Sequence, residues 1–200
     1  MTEALIEPAI AAPPNAFTLE QIGWTPWLAP LPEAELTEHH RAALVDPARA
    51  KSAYFMLLAR DPDILAARTR TDKDIFYNTT DGLPRDAREL AATAVSRVNG
   101  CIFCASVHAR FAVHLSKQPE AVRRLLERGL SAPLDQRWSA IAAAAGALTQ
   151  TPPAFDAGHV VRLRDAGLDD GEIADVIHAA AFFNWANRLM LSLGEPTPAP

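Results

Sequence analysis

Cysteine is scarce in this sequence of 200 residues, which contains only Cys101 and Cys104. A structural disulfide between residues so close in the chain adds little stability, because the loop that it closes is small. In a reducing compartment, a close pair of thiols indicates redox chemistry or metal binding instead.

Features that mark membrane proteins, secreted proteins and nucleic-acid binders are also missing. No stretch approaches the roughly 20 apolar residues of a membrane span, and even the Ala-rich stretch from Ile141 to Leu148 is short. The N-terminus lacks the basic start and the continuous apolar stretch of a secretory signal. The net charge is -5, and basic residues are interleaved with acidic ones rather than clustered for phosphate binding. We therefore expect a cytoplasmic protein with no membrane or nucleic-acid partner.

Composition and length indicate one globular domain with an N-terminal extension. Hydrophobic residues make up 49% of the chain and charged residues 22%, as in ordinary globular proteins. Residues 1–32 are rich in Ala and Pro and include Trp24 and Trp27, which predicts an extended arm. The two tryptophans need burial, either against the parent domain or on a neighbouring subunit. Residues 33–200 are expected to form a helical domain.

Alternation with a period of two residues is absent over any useful length, which predicts an all-α fold without strands. Apolar residues recur at intervals of three and four from Pro32 onward. Helices are expected at about 84–99, 101–116, 119–128, 135–149, 154–166 and 169–193. Asn99-Gly100 is a left-handed stop signal between the first two of these helices. The last helix is dense in Phe, Trp, Leu and Met, which predicts a homo-oligomer, and His178 on this helix is expected to lie in the core.

His108 follows Cys104 by four residues. On a helix that advances about 100° per residue, the imidazole stands one turn beyond the Cys104 sulfur and on the same face. The thiolate is the nucleophilic form of cysteine, whereas a free cysteine with a pKa of about 8.5 is mostly protonated at neutral pH. The nearby base and the start of the helix both favour a thiolate, and only Cys104 has the nearer base.

Glu89 precedes Cys101 by twelve residues, on the helix before the Asn-Gly turn. A turn there folds the first helix back along the second, which would bring the Glu89 carboxylate to His108. A carboxylate in that place orients the imidazole and accepts its proton directly or through water. The alternative is that Glu89 is exposed in the first turns of its helix, where the dipole favours an acidic residue.

The spacing of Glu89, Cys101, Cys104 and His108 resembles the signature of the AhpD-like alkylhydroperoxidase and carboxymuconolactone decarboxylase superfamily. The resemblance is strong over residues 84–116 and continues more weakly into the later helices, where Asn184-Trp185-Ala186-Asn187-Arg188 resembles the terminal helix of the family. The N-terminal segment Gly23-Trp24-Thr25-Pro26-Trp27-Leu28 is similar to the uncharacterised peroxidase-related branch.

The resemblance implies an AhpD-like helical bundle, usually oligomeric, that reduces hydroperoxides without a cofactor or metal. Cys104 would then be the peroxidatic cysteine, Cys101 the resolving cysteine, His108 the base and Glu89 the far end of its proton relay. A thiol or lipoyl-type protein would return the electrons. The best-studied members carry a second histidine immediately before the peroxidatic cysteine, where this chain has Phe103. Phenylalanine cannot relay a proton, which puts the rate and the lipoyl-linked reductant in question.

Three other functions stay open at this point. A zinc site could use Cys101, Cys104 and His108 with Glu89 as fourth ligand, whereas His114 lies about 220° around the helix from Cys101 and cannot join them. A lyase of the carboxymuconolactone decarboxylase type would use the acid and the histidine, but it does not need a dithiol. A dithiol adaptor or a non-enzymatic stress-response module would retain the same motif.

Overall fold

The computed structural model describes residues 13–78 and 80–199, and within them the chain is helical apart from short connections and a small sheet. The all-α prediction is therefore confirmed. The helices are α1 (Glu38–Leu44), α2 (Ala53–Leu58), α3 (Pro62–Tyr77), α4 (Arg85–Asn99), α5 (Ile102–Ser116), α6 (Pro119–Arg128), α7 (Gln136–Thr149), α8 (Ala157–Asp165) and α9 (Asp170–Leu193). Short 3-10 helices lie at Glu33–Glu35, Pro47–Lys51 and Gly129–Ser131. Residues 1–12 of the predicted arm lie outside the described residues.

The later helices begin where the sequence places capping residues. Asp135, Asp156 and Asp169 precede α7, α8 and α9, and each side chain accepts a hydrogen bond from a backbone N–H in the first turn of its helix. Such caps satisfy donors that have no partner within the helix, which fixes where the helix starts. The predicted boundaries from α4 onward therefore agree with the structure to within three residues.

The turn between α4 and α5 is the local feature that creates the site. Gly100 has a φ of 77°, in the left-handed region where glycine avoids a steric cost. The N–H groups of Gly100 and Cys101 both donate to the Ser96 carbonyl oxygen and close the end of α4. The chain reverses here, so α5 packs back along α4.

Helix α4 lies at the centre of the main core and packs against α5, α7 and α9. Its residues Leu90, Ala91, Ala94 and Val95 are fully buried. Alanine is frequent on the buried faces of α4 and α7, and its short side chain lets neighbouring helices approach closely. The rigid centre of the domain thus carries Glu89 as well as the turn to the cysteines.

Helix α9 packs its aromatic residues mainly into its own chain. Phe182, Phe183 and Met190 are buried, whereas Trp185 and Leu191 remain exposed. The apolar surface on which we based the expectation of an oligomer is therefore smaller than the sequence indicated. The prediction for His178 is wrong, because this residue faces outward and is exposed.

The expectation that the chain has no strand is corrected by a two-stranded antiparallel sheet. Strand β1 (Gly23–Pro26) lies within the predicted arm and pairs with β2 (Gly194–Thr197), directly after α9. Trp24 packs against the main core and meets the Tyr54 ring edge-on, with 5.9 Å between the centroids. The indole is therefore half-buried against its own domain, the first of the two placements considered for it.

Helices α1 to α3 form a layer with a smaller apolar cluster of its own. Asp61 caps α3, and Pro62 occupies its first position, where the missing N–H costs no hydrogen bond. This layer places Tyr54, Phe55 and Arg68 beside Cys104 and His108 of α5. Within the described part of the chain, no helix is both long enough and apolar enough to span a bilayer.

Candidate active site

Cys101 and Cys104 are free, buried thiols at the N-terminal end of α5. Cys101 is the residue that caps the helix, and Cys104 lies in its first turn. The two side chains are hydrogen-bonded to each other. A pair in direct sulfur contact at the start of a helix is placed to form a disulfide when it is oxidised.

The charges of the two sulfurs are arranged differently from the sequence prediction. The Cys104 thiol donates to Cys101 and lowers the pKa of Cys101, and the Cys104 backbone N–H adds to this effect. The hydrogen bond with Cys101 and burial raise the pKa of Cys104 well above its usual value. In the resting dithiol the negative charge is therefore favoured at Cys101, because Cys104 is enclosed and holds the shared proton.

The predicted contact between His108 and Glu89 is present. His108 Nδ1 lies 2.6 Å from Glu89 Oε2, and the Glu89 side chain is only 2% exposed. A carboxylate can only accept a hydrogen bond, so Nδ1 donates and Nε2 is left as the basic nitrogen of the neutral ring. The alternative in which Glu89 faces solvent is wrong, because α5 folds back along α4 and encloses the carboxylate.

Arg85 completes the environment of Glu89. Its Nε donates to Glu89 Oε1 at 3.2 Å, one helical turn before the carboxylate on α4. Both carboxylate oxygens of Glu89 therefore have partners, as a buried charge requires. The guanidinium of Arg85 is held over the ring of Tyr77, 4.1 Å from its centroid.

A cavity of about 250 Å³ opens beside this pair. Cys104 and His108 line its wall, whereas Cys101 does not. Most of the remaining wall is aromatic or apolar, and its residues are Ser52, Tyr54, Phe55, Arg68, Phe103, Val107, Phe183, Ala186 and Met190. The Phe183 ring lies edge-on to the His108 imidazole, with 4.1 Å between the centroids, which helps to fix the ring.

Sequence reasoning missed Asn187 as a partner of the cysteines. Asn187 is fully buried on α9, and its side chain is hydrogen-bonded to Cys104, which partly opposes the rise in the Cys104 pKa. Its Nδ2 also donates to Ser96 Oγ, and Asn99 Nδ2 donates to its Oδ1, both at 3.1 Å. The Asn-rich stretch of α9 had marked this region by its resemblance to the family, but the residues alone did not show what the amides contact.

Arg68 and Tyr54 were also missed, since they come from α3 and α2 and meet Cys104 only in the folded chain. Burial, opposed in part by Arg68, raises the pKa of Tyr54 to about 12, so its hydroxyl is neutral at physiological pH. Arg85 carried a signal that could have been used, because it precedes Glu89 by four residues on a predicted helix.

The ligands considered for zinc do not converge as a metal site. In residues 13–78 and 80–199, no three His, Cys, Asp or Glu side chains are grouped so that they could hold a metal ion. Glu89 contacts His108 rather than completing a ligand shell around the sulfurs. His114 is exposed near the end of α5.

Known structures share this architecture. An uncharacterised peroxidase-related protein with an alkylhydroperoxidase AhpD core, from Ralstonia eutropha JMP134, is 24% identical with a TM-score of 0.70, and the match covers 82% of this chain and 88% of that one. An uncharacterised peroxidase-related protein from Silicibacter sp. TM1040 is 25% identical with a TM-score of 0.65, over 82% of this chain and 84% of that one. The debrominase Bmp8 is 17% identical with a TM-score of 0.67, over 82% and 88% respectively.

The sequence itself carries a family match that includes the proposed site. No curated protein sequence is significantly similar to this chain. Residues 62–150 match the carboxymuconolactone decarboxylase family, and this span runs from the first turn of α3 to the end of α7. It contains Glu89, both cysteines and His108. This match and the shared helical fold support a place for the chain in the AhpD-like and carboxymuconolactone decarboxylase superfamily.

Proposed function

We propose that the protein is a thiol-dependent hydroperoxide reductase in which Cys104 attacks the peroxide and Cys101 forms the disulfide with it. One observation carries the proposal. Cys104 and His108 share the wall of an apolar cavity, Cys101 touches Cys104 from behind that wall, and Glu89 holds His108 at 2.6 Å. A nucleophile, a resolving thiol and an oriented base are the groups that this chemistry needs.

The first step converts a hydroperoxide to an alcohol. Cys104 passes its proton to Nε2 of His108, and the resulting thiolate attacks the terminal peroxide oxygen. The S–O bond forms as the O–O bond breaks, and the leaving alkoxide takes the proton from His108. Cys104 becomes a sulfenic acid, and Glu89 stabilises the imidazolium that forms in between.

The second step closes the disulfide. The Cys101 thiolate attacks the Cys104 sulfur, the S–O bond breaks, and the leaving hydroxide takes a proton from solvent and becomes water. The Cys104 backbone N–H, which also lowers the pKa of Cys101, still favours the Cys101 thiolate at this stage. An external dithiol then returns two electrons by thiol–disulfide exchange, and a thiol or lipoyl-type protein would serve.

Access rather than resting charge selects Cys104 as the attacking sulfur. Cys101 is favoured as the thiolate in the reduced protein, but it does not line the cavity. A peroxide that enters the cavity meets Cys104 and the imidazole together. His108 is therefore needed to remove a proton that burial and Cys101 hold on Cys104.

Counting thiols after limited oxidation tests the proposal. Reduced, desalted protein should lose two thiols for each hydroperoxide consumed, and the His108→Gln variant should lose them far more slowly. His178→Gln is a matched control, because His178 is an exposed histidine outside the cavity. Peroxide consumption without thiol loss, or thiol loss that His108→Gln leaves unchanged, would contradict the proposed mechanism.

Reductive dehalogenation is a second candidate. The aromatic rings of Tyr54, Phe55, Phe103 and Phe183 line a cavity that also exposes one sulfur of the dithiol. The debrominase Bmp8 shares the fold, and a variant of it has been crystallised with 2,3,4-tribromopyrrole. The reduced protein should be incubated with that compound in parallel with the peroxides. Bromide release faster than peroxide reduction would favour this second function.

A further inference from the structure

Arg68 is a buried cation at the cavity wall that the proposed mechanism does not use. It lies on α3, lines the cavity with Tyr54 and Cys104, and its side chain is only 9% exposed. Burial of a guanidinium is costly unless its charge is paired and its N–H groups are hydrogen-bonded. The groups that pair with the Arg68 guanidinium therefore indicate its role.

The hydrogen-bonding capacity of Arg68 is incompletely used. Neither Nε nor Nη1 has a hydrogen-bond partner among the described residues, and both atoms are enclosed, so a ligand in the cavity reaches them only when the guanidinium turns towards it. Oδ2 of Asp72 lies 3.2 Å from Nη1 as an ion-pair partner one turn along α3, but the contact lacks hydrogen-bond geometry. Asp72 thus offsets part of the charge, and the Tyr54 hydroxyl is hydrogen-bonded to the guanidinium, while Nε and Nη1 stay unfilled.

Three aromatic rings lie around the guanidinium of Arg68. Cζ of Arg68 lies 5.4 Å from the ring centroids of Phe55 and Phe182 and 6.0 Å from that of Tyr54. Aromatic rings attract the cation, but they supply no anion that pairs with it. Tyr54 is neutral because its pKa is about 12, and the Cys104 thiol holds its proton, so neither supplies a competing anion.

We propose that the cavity binds a small organic acid, with its carboxylate on Arg68 and its apolar body against the aromatic wall beside Cys104. Carboxylate is the partner that a planar fork of N–H donors binds best. A cavity of about 150 Å³ holds benzene, so about 250 Å³ takes a body of one ring with its substituents. The apolar wall favours an organic acid over free phosphate, which would leave most of the cavity unfilled.

Combined with the proposed function, and resting on it for this step only, the inference names the substrate class as a hydroperoxide that also bears a carboxylate. Arg68 on α3 and Cys104 on α5 stand on the wall of the same cavity. An acid anchored at Arg68 therefore presents the rest of its body to the sulfur. The two steps at the cysteines are the same for this substrate, and its carboxylate is unchanged.

Binding can be measured without catalysis. The dissociation constants of benzoate and benzamide are measured for the reduced protein. The two compounds differ only in the charged group that Arg68 is proposed to bind. Benzoate should bind about 10- to 100-fold more tightly, as expected for a charge-assisted hydrogen bond. Arg68→Gln should remove this preference, Arg68→Lys should keep part of it, and Arg70→Gln, at an exposed position on the same helix, should keep all of it.

Three binding results would overturn the inference. These are equal affinity for benzoate and benzamide in the unaltered protein, an unchanged preference in a folded Arg68→Gln variant, and displacement of benzoate by inorganic phosphate at equal concentration. The first comparison needs no variant, so a failure of Arg68→Gln to fold does not affect it. Thermal melts of each variant establish which of them are folded.

A kinetic comparison separates this inference from the proposed function. Cumene hydroperoxide and its para-carboxylate analogue are compared by kcat/KM in the unaltered protein and in Arg68→Gln. Since Arg68 also lowers the pKa of Cys104, its loss slows both substrates, and only the ratio between them reports on carboxylate binding. Benzoate selectivity without peroxide consumption would refute the peroxidase alone. Peroxide consumption with no preference for the acid would refute the anion site alone.

Discussion

Glu89 and Arg68 are two buried charges near one cavity, and they differ in how completely the chain satisfies them. Both oxygens of Glu89 have partners, from His108 at 2.6 Å and Arg85 at 3.2 Å. Arg68 is almost as deeply buried, yet Nε and Nη1 have no hydrogen-bond partner in the described parts of the chain. The satisfied charge holds a base in place before any substrate arrives. We propose that a ligand completes the unsatisfied charge.

The largest expected effect is at the cysteines, which lie beside the His108–Glu89 pair. Replacing Cys104 by Ser should abolish peroxide consumption, because no other thiol lines the described wall of the cavity. Replacing Cys101 by Ser should permit one oxidation but no catalytic cycle, because the internal disulfide cannot form. Steady-state peroxide consumption with a dithiol donor measures both. Sustained turnover by either variant would contradict the two-cysteine mechanism.

The next effect tests the base that Glu89 holds. His108→Gln should slow the first oxidation by about 10² to 10⁴, the usual contribution of a positioned acid or base. Raising the pH should partly restore the rate, since hydroxide then supplies the Cys104 thiolate. Rapid mixing with a hydroperoxide at several pH values measures this, with His178→Gln as control. A rate loss that is the same at every pH would mean that His108 acts by packing and not as a base.

Glu89 and Arg68 should also differ in how much each side chain contributes to the free energy of unfolding. Glu89→Ala leaves the His108 and Arg85 donors without their carboxylate and should lower the free energy of unfolding by about 3–5 kcal/mol. Arg68→Met removes unfilled donors from an aromatic wall but leaves Asp72 without its ion-pair partner, so it should lower the free energy of unfolding by a smaller amount, about 1–3 kcal/mol. Urea unfolding of the two variants gives the comparison. Equal losses would show that Arg68 is as fully satisfied in the protein as Glu89.

The sequence predicted the surroundings of Glu89 better than those of Arg68. Glu89, the Asn99-Gly100 turn, Cys104 and His108 lie within two consecutive helices, where helical spacing and one turn type fix their proximity. Arg68 approaches the same cavity from α3, which is separated from the cysteines by another helix. Its position depends on how α3 packs in the folded chain, and no spacing of residues in the sequence indicates that packing.

Two errors have physical causes of the same kind. Strands β1 and β2 were missed because both are short, each contains glycine and proline, and each finds its partner at the opposite end of the described chain. The pKa order of the cysteines was reversed because helix position and base spacing are local. The sulfur–sulfur hydrogen bond and the burial of Cys104 depend on the folded structure around both cysteines.

The smallest expected effect is a shift in the pKa of each cysteine when the other is removed. Cys101→Ala removes the main cause of the raised pKa of Cys104, which should fall towards its usual value. Cys104→Ala removes the donor that stabilises the Cys101 thiolate, so the pKa of Cys101 should rise. The pH dependence of alkylation of the remaining thiol measures each. Unchanged pKa values in both variants would mean that the hydrogen bond between the sulfurs does not set their charges.

The central claim is that Cys104, not Cys101, takes the peroxide oxygen. Mass spectrometry after a single pulse of hydroperoxide tests it in the two Ser variants. The account predicts a sulfenic acid at Cys104 in Cys101→Ser and none at Cys101 in Cys104→Ser. A sulfenic acid at Cys101 in Cys104→Ser, with none at Cys104 in Cys101→Ser, would reverse the roles of the cysteines, and no sulfenic acid in either variant would contradict the peroxidase itself.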